Sequence, residues 1–123
     1  MTMRLRTDSF HEFTVGERSI LRDESGYLAE PDDWDENVAR LIAEEEHIEL
    51  TDDHWAIISF MRDQQAEHGV SPDARHAFSF LAERKAVNKR KARNLFFELF
   101  PYGYVKQACK IAGMVQPRAW STG

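Results

Sequence analysis

The stretch "TDDHWAIISFMRDQQAEHG", residues 51 to 69, carries the signals of a complete helix. Thr51 can cap its first turn, and the two aspartates that follow lie where the helix dipole favours negative charge. Gly69 supplies a common helix stop. Between these ends the apolar residues recur every three or four positions, as on one side of a helix: Trp55, Ile57, Ile58, Phe60 and Met61. The sequence therefore predicts a helix from His54 to about His68.

Two more helices are predicted on either side of this one. From Trp34, apolar residues at helical intervals predict a helix of about eleven residues, with Asp32 or Asp33 as its N-cap. After the stop at residue 69, Ser71 followed by Pro72 predicts another start, with the serine as N-cap and the proline in the first helical position. The chain is thus expected to turn back on itself between consecutive short helices.

The C-terminal part of the sequence predicts two further helices. Asn88 can cap a helix whose first turns are basic and whose later turns are strongly apolar. Pro101 and Gly103 end it. A final helix is expected from about Tyr104 to Ala112, with Gly113 as its stop.

The first thirty residues have a different pattern. Apolar and polar residues alternate on each side of two turn signals, one at Gly16 and one at residues 23 to 26. Phe13, Val15 and Ile20 can then point to the same side. Short strands of this kind usually form a hairpin or a small meander.

Together these elements predict a mainly α (α+β) fold in a single domain, residues 1–123. A small N-terminal β-hairpin region covers residues 1–30, a bundle of about five helices covers residues 33–112, and an arm without periodicity covers residues 113–123. Because none of the helices is long enough for a coiled-coil seam, we expect them to cross at steep angles in an orthogonal bundle.

Composition excludes several classes of protein. No apolar run approaches the length that spans a bilayer, and no apolar segment follows the basic N-terminus, so we expect a cytoplasmic protein without membrane contact. One cysteine, Cys109, cannot form an internal disulfide or a multi-cysteine zinc site. We expect no metal and no cofactor, and no set of nucleophile, base and orienting group indicates a stand-alone enzyme.

Several stretches together resemble the DsrC/TusE family: "GYL" and "DDW", then "IELTDDHWAIISFMRD", "SPDAR" and "LFPYGYVKQACKIAGM". The resemblance covers about residues 26 to 118. It implies an N-terminal β-hairpin, a helical bundle that contains a helix-turn-helix element, and a flexible C-terminal arm. Members of this family, also called the gamma subunit of dissimilatory sulfite reductase, are small sulfur-trafficking proteins. The resemblance therefore implies sulfurtransferase or sulfite-reductase-type partners in a sulfur relay, contacted transiently by a monomer. It implies that the chain is at most a sulfurtransferase-type sulfur acceptor.

The chain departs from the family at its carrier position. In the family, sulfur is carried on a cysteine near the end of the arm, and DsrC members have a second cysteine eleven residues earlier in a "KQACKIAG" context. Cys109 matches the earlier cysteine, and the position eleven residues later is Trp120. An indole accepts no sulfane sulfur and forms no disulfide, so the two-cysteine mechanism does not transfer to this sequence.

Two interpretations of Cys109 remain open from the sequence. Val105 and Ala112 share its helix stripe, which favours a structural residue in the core. Lys106 and Lys110 are close in sequence, and a nearby cation favours the reactive thiolate, which makes Cys109 a candidate sulfur acceptor. Arg75 of "SPDAR" and Lys106 match basic family positions, where they would attract an anionic substrate or a persulfide or would simply form surface ion pairs.

The arm offers a candidate docking element. Trp120, with Arg118 beside it, is predicted to anchor the arm in a partner's pocket, as buried tryptophans do at interfaces. The alternative is that Trp120 folds back onto the chain's own surface. A non-carrier module that docks on partners without passing sulfur on is consistent with the first interpretation.

A DNA-binding regulator of sulfur metabolism is the second hypothesis. The formal net charge is -5, yet residues 84 to 93 contain six basic residues and no acid, whereas residues 30 to 53 contain eleven acids and one arginine. The family's helix-turn-helix falls on residues 71–100. Its second helix, starting near Asn88, would present Lys89, Arg90 and Arg93 to DNA phosphates and bases, with Lys85 in the turn before it. Solvated side chains that pair with acids elsewhere are the alternative.

Overall fold

The computed structural model describes residues 10–115. A two-stranded antiparallel hairpin is followed by five helices, which confirms the predicted α+β fold. None of the helices within residues 10–115 is long and apolar enough to cross a membrane. The elements are β1 (His11–Val15), β2 (Arg18–Arg22), α1 (Glu36–Glu45), α2 (Asp52–His68), α3 (Ala74–Lys85), α4 (Lys89–Leu99) and α5 (Tyr104–Ala108 continuing into Cys109–Ile111).

The hairpin supplies one wall of the core. Phe13 pairs with Ile20 across the two strands, and Gly16 makes the turn between them with a φ of 62°. Ile20 is buried, as the alternation predicts. The chain then returns along β2 through a bridge between Arg22 and Leu28, and Leu28 is also buried. This return places the residues after β2 against the helices.

Two predicted helix caps are wrong by two or three residues. The N-cap of α1 is Asp35, whose carboxylate accepts from Val38 N–H, because residues 31 to 33 form a separate 3-10 turn. The N-cap of α3 is Asp73, which accepts from His76 N–H, so Ser71 and Pro72 lie before the helix. The hydroxyl of Ser71 instead donates to the Gln65 side chain.

The other caps agree with the sequence prediction. Thr51 caps α2 in a capping box with the His54 side chain, so the helix begins at residue 52, two residues earlier than predicted. Asn88 caps α4 by accepting from Lys91 N–H. Gly69 ends α2 in the left-handed region.

The final helix differs in its winding from the prediction. Residues 104 to 108 form a π-helical turn in which Cys109 N–H donates to the Tyr104 carbonyl, and ordinary α-helix follows for only three residues. Such wide turns occur mostly as single insertions in helices and are frequent at functional sites. The core beneath this turn is aromatic, with Phe96 in contact with Phe78, Phe100 and Tyr104.

Candidate functional site

Cys109, the single cysteine of the sequence, is fully buried on α5. Burial raises the pKa of its thiol to about 12, and a hydrogen bond with Tyr104 acts weakly in the opposite direction. At pH 7 the thiol is therefore almost entirely protonated. Because the thiolate is the nucleophile that accepts sulfur, this environment favours the structural interpretation of Cys109.

Two buried tyrosines surround the thiol with neutral groups. The Tyr27 hydroxyl donates to the Val105 carbonyl at 2.7 Å, and the Tyr104 hydroxyl donates to the Pro72 carbonyl. Burial raises the pKa of Tyr27 to about 12, helped by the negative charge that Cys109 would carry, and raises that of Tyr104 still further. The pocket around Cys109 is therefore poorly suited to hold a negative charge.

The sequence predicts that the two lysines near Cys109, Lys106 and Lys110, favour its thiolate. Lys110 Nζ lies 3.1 Å from the Glu46 carboxylate and 5.5 Å from the centre of the Tyr27 ring. Lys106 is exposed on the same helix. The influences on the Cys109 pKa are burial and the Tyr104 hydroxyl, not a neighbouring cation.

Glu46 joins the end of α1 to α5. Its carboxylate accepts from the Gln107 amide at 3.0 Å and from Lys110, and Gln107 in turn accepts from Tyr102 N–H. Although burial of the Glu46 carboxyl acts to raise its pKa, these two hydrogen bonds outweigh it and the pKa falls below its usual value. Lys110 thus stabilises the fold at this contact.

Arg75 is exposed and binds the Asp73 carboxylate at 2.9 Å. Its guanidinium therefore pairs with the N-cap residue of α3 rather than with the buried thiol. The roles of Arg75 and Lys106 toward an anionic substrate stay predictions. Trp120 and Arg118 lie outside the described residues, so their predicted docking role stays a prediction as well.

The basic residues before and within α4 divide into two groups. Arg84 and Lys85 both contact Asp53, at 2.8 and 3.1 Å, and Arg93 lies over the rings of Phe78 and Phe97. The second group projects into solvent from the first turn of α4: Lys89, Arg90 and Lys91. Of the four residues predicted to contact DNA, Lys85 and Arg93 belong to the first group, and Lys89 and Arg90 belong to the second.

Sequence reasoning missed a set of contacts at the end of α5. Trp34 donates its indole N–H to the Ile111 carbonyl at 2.9 Å, and Arg62 donates to the Ala112 carbonyl at 2.8 Å. The Arg62 guanidinium also lies 4.3 Å from the centre of the Trp34 ring. Trp34 belongs to the stretch "DDW" and Arg62 to the stretch "FMRD", and both stretches resemble the family. The spacing of residues in the sequence does not indicate that both side chains bind the end of α5.

Metal binding has no support within residues 10–115, where no three His, Cys, Asp or Glu side chains are grouped to hold an ion. Open grooves lie on the surface of the described part of the chain. One of about 490 Å³ lies between α2 and α3 and is lined in part by Phe60, Phe80 and Lys89. Cys109 does not line this groove.

The comparisons with known proteins agree with one another. The family model "DsrC like protein" matches residues 14–119. The sulfurtransferase TusE homolog of Haemophilus influenzae is 44% identical over 95 residues, which is 77% of this chain and 86% of that protein. Among solved structures, the oxidized gamma subunit of dissimilatory sulfite reductase (DsrC) from Archaeoglobus fulgidus has a TM-score of 0.80 and 33% identity, covering 90% of this chain and 100% of that chain. DsrC of Allochromatium vinosum has a TM-score of 0.77 and 33% identity, covering 91% and 99%. The chain therefore belongs to the DsrC/TusE family.

Proposed function

We propose that the protein is an accessory protein of a cytoplasmic sulfur relay that docks on sulfurtransferase or sulfite-reductase-type partners and carries no sulfur on Cys109 while it is folded. The names of its relatives support the sulfur-relay role, since they include sulfurtransferases and the gamma subunit of a sulfite reductase. The observation that carries the non-carrier part is the complete burial of the single cysteine.

Two facts together support the proposed absence of a carrier step. A relay needs a thiolate that reaches into a partner's site, and the only thiol of these 123 residues is buried with a pKa raised to about 12. The position that matches the family's carrier cysteine is Trp120. A sulfur acceptor role for Cys109 stays a prediction, and it requires α5 to move away from Tyr27 before the sulfur can react.

The docking half of the proposal assigns Trp120 and Arg118 to the partner's surface. A tryptophan adds a large apolar contact that keeps one polar N–H, and an arginine can pair with a carboxylate at the rim of the same pocket. Such anchors commonly carry much of the binding free energy at an interface. The family's delivery of a carrier thiol would be replaced here by delivery of an anchor.

Titration calorimetry against purified dissimilatory sulfite reductase and against a TusE-type sulfurtransferase partner tests this proposal. We expect binding that survives Cys109→Ser and weakens by about 10-fold or more in Trp120→Ala, the loss of about 1.4 kcal/mol or more expected of an interface anchor. Tyr102→Ala is the matched control, because it also removes an aromatic side chain, one that is 71% exposed. Absence of binding to both classes of partner contradicts the docking function.

DNA binding remains a second candidate, favoured by the exposed cations at the start of α4. Three cations in the first turn of a helix oppose its dipole, which is tolerable when they meet an external anion. Because Asp53 forms ion pairs with Arg84 and Lys85, less positive charge remains at this surface to bind DNA. A salt-sensitive gel shift that disappears in Lys89→Ala with Arg90→Ala supports this candidate, and no shift at low salt refutes it.

A further inference from the structure

Every backbone carbonyl at the C-terminal end of α5 accepts a hydrogen bond. The last carbonyls of a helix normally lack an N–H partner within the helix. Here the backbone of residues 112 to 114 returns to three of them, as Ala112 N–H donates to Ala108, Gly113 N–H to Lys110 and Met114 N–H to Cys109. The remaining two, at residues 111 and 112, accept from Trp34 and Arg62.

Arg62 ties three separate segments together. Its guanidinium donates to the Ala112 carbonyl at 2.8 Å and to the Pro31 carbonyl at 3.2 Å while it stacks on Trp34. Burial lowers the pKa of the Arg62 guanidinium, with Asp32 acting in the opposite direction. A half-buried arginine that bonds two carbonyls and an aromatic face is held in one geometry, and its positive charge suits the negative end of the helix.

Gly113 is required at this position for two reasons. Its φ is 81°, in the left-handed region that side chains rarely adopt, and a Cβ built on it would lie 2.4 Å from Cδ1 of Trp34. The indole therefore rests directly on the glycine backbone. Met114 is still fully buried, whereas Val115 is 49% exposed, so the chain leaves the bundle between these two residues.

From these contacts we propose that Trp34, Arg62 and Gly113 are positioning residues, which hold the end of α5 rigid through Met114 and so fix the point from which the C-terminal arm leaves. The use of this fixed exit in binding a partner rests on the docking function proposed above. Four residues lie between Val115 and Trp120, so five steps of the chain separate the two Cα atoms by at most about 18 Å. A fixed exit restricts the partner pocket for Trp120 to a surface within that radius.

Backbone ¹⁵N relaxation of the full chain tests the positioning directly and needs no partner. In the wild type, Gly113 and Met114 should have order parameters of about 0.85, typical of rigid backbone, and Arg62→Met should lower them below about 0.6. Arg40→Met is the matched control, because Arg40 also stacks on a tryptophan, Trp55, yet within residues 10–115 its hydrogen bonds go to two residues of α1. It should leave the values at residues 113 and 114 unchanged.

Trp34→Phe separates the stacking from the hydrogen bond. It keeps a ring over Gly113 but removes the donor to the Ile111 carbonyl, so we expect an intermediate loss of order and the loss of one slowly exchanging indole N–H signal. Low order at Gly113 and Met114 in the wild type, or unchanged order in Arg62→Met, overturns the proposal. These outcomes are independent of docking, whose failure would affect only the proposed function.

A docking measurement then decides whether the fixed exit is used. With dissimilatory sulfite reductase as the probe, Arg62→Met should bind about 10-fold more weakly than Arg40→Met, since an arm without a fixed origin loses more freedom on binding. Equal affinities for the two variants, together with lowered order in Arg62→Met, would show that docking does not depend on the exit and would refute that part of the inference.

Discussion

Removal of the Tyr27 hydroxyl tests the contact that encloses Cys109. In Tyr27→Phe the Val105 carbonyl loses the hydrogen bond that it accepts from this hydroxyl at 2.7 Å in a buried position. Removing one partner of a buried hydrogen bond costs about 1–3 kcal/mol of the free energy of unfolding. For a domain of this size we expect the melting temperature to fall by about 4–12 °C.

The same substitution should expose the thiol more often. If Cys109 reacts only after unfolding or a local opening, the loss of about 1–3 kcal/mol raises its rate of reaction with a disulfide reagent by about 5- to 150-fold. Tyr102→Phe is the matched control, because Tyr102 is 71% exposed. Calorimetry and thiol labelling under native conditions measure both effects. If Tyr27→Phe behaves like Tyr102→Phe in both assays, the conclusion that Tyr27 helps to enclose Cys109 is wrong.

Two further predictions concern local structure. Asp73→Ala removes the N-cap of α3 and should lower the free energy of unfolding by about 1 kcal/mol, whereas Ser71→Ala should change it by less than about 0.5 kcal/mol; equal effects in urea unfolding would return the cap to Ser71. Burial lowers the pKa of His54, which bonds the Leu99 carbonyl and Thr51. Since the unfolded chain then binds a proton that the folded chain does not, the free energy of unfolding should fall as the pH decreases from about 7 through 6.5. His54→Gln should flatten this part of the pH profile, and an unchanged slope contradicts the assignment.

The sequence predicted the elements well because their signals are local. Asn88 was predicted as the cap of α4 from its own type and the residues after it, and the structure has it there. Asp35 and Asp73 were missed because other cap residues stand two or three positions before them. The choice among neighbouring caps depends on the 3-10 turn at residues 31 to 33 and on the chain before α3, which local spacing does not determine.

The site was less predictable because its contacts join distant segments. The helix stripe of Cys109 left burial and reactivity open, and the burial is completed by Tyr27, from the segment after β2. Lys110 is adjacent in sequence, but neighbouring positions on a helix point in different directions, and its ammonium reaches Glu46. Trp34 and Arg62 act together because α5 ends between them in the folded chain. The spacing of residues around Trp34 or around Arg62 does not indicate where α5 ends.

Sulfur loading of the native protein tests the central claim most directly. Intact mass is measured after incubation with a persulfide donor in native buffer, for the wild type and for Trp120→Cys, which restores a thiol at the family's carrier position. We predict no adduct on the wild type and a gain of about 32 Da, one sulfur atom, on Trp120→Cys. An adduct of about 32 Da on the folded wild type that Cys109→Ser abolishes would contradict the account and make Cys109 the sulfur acceptor.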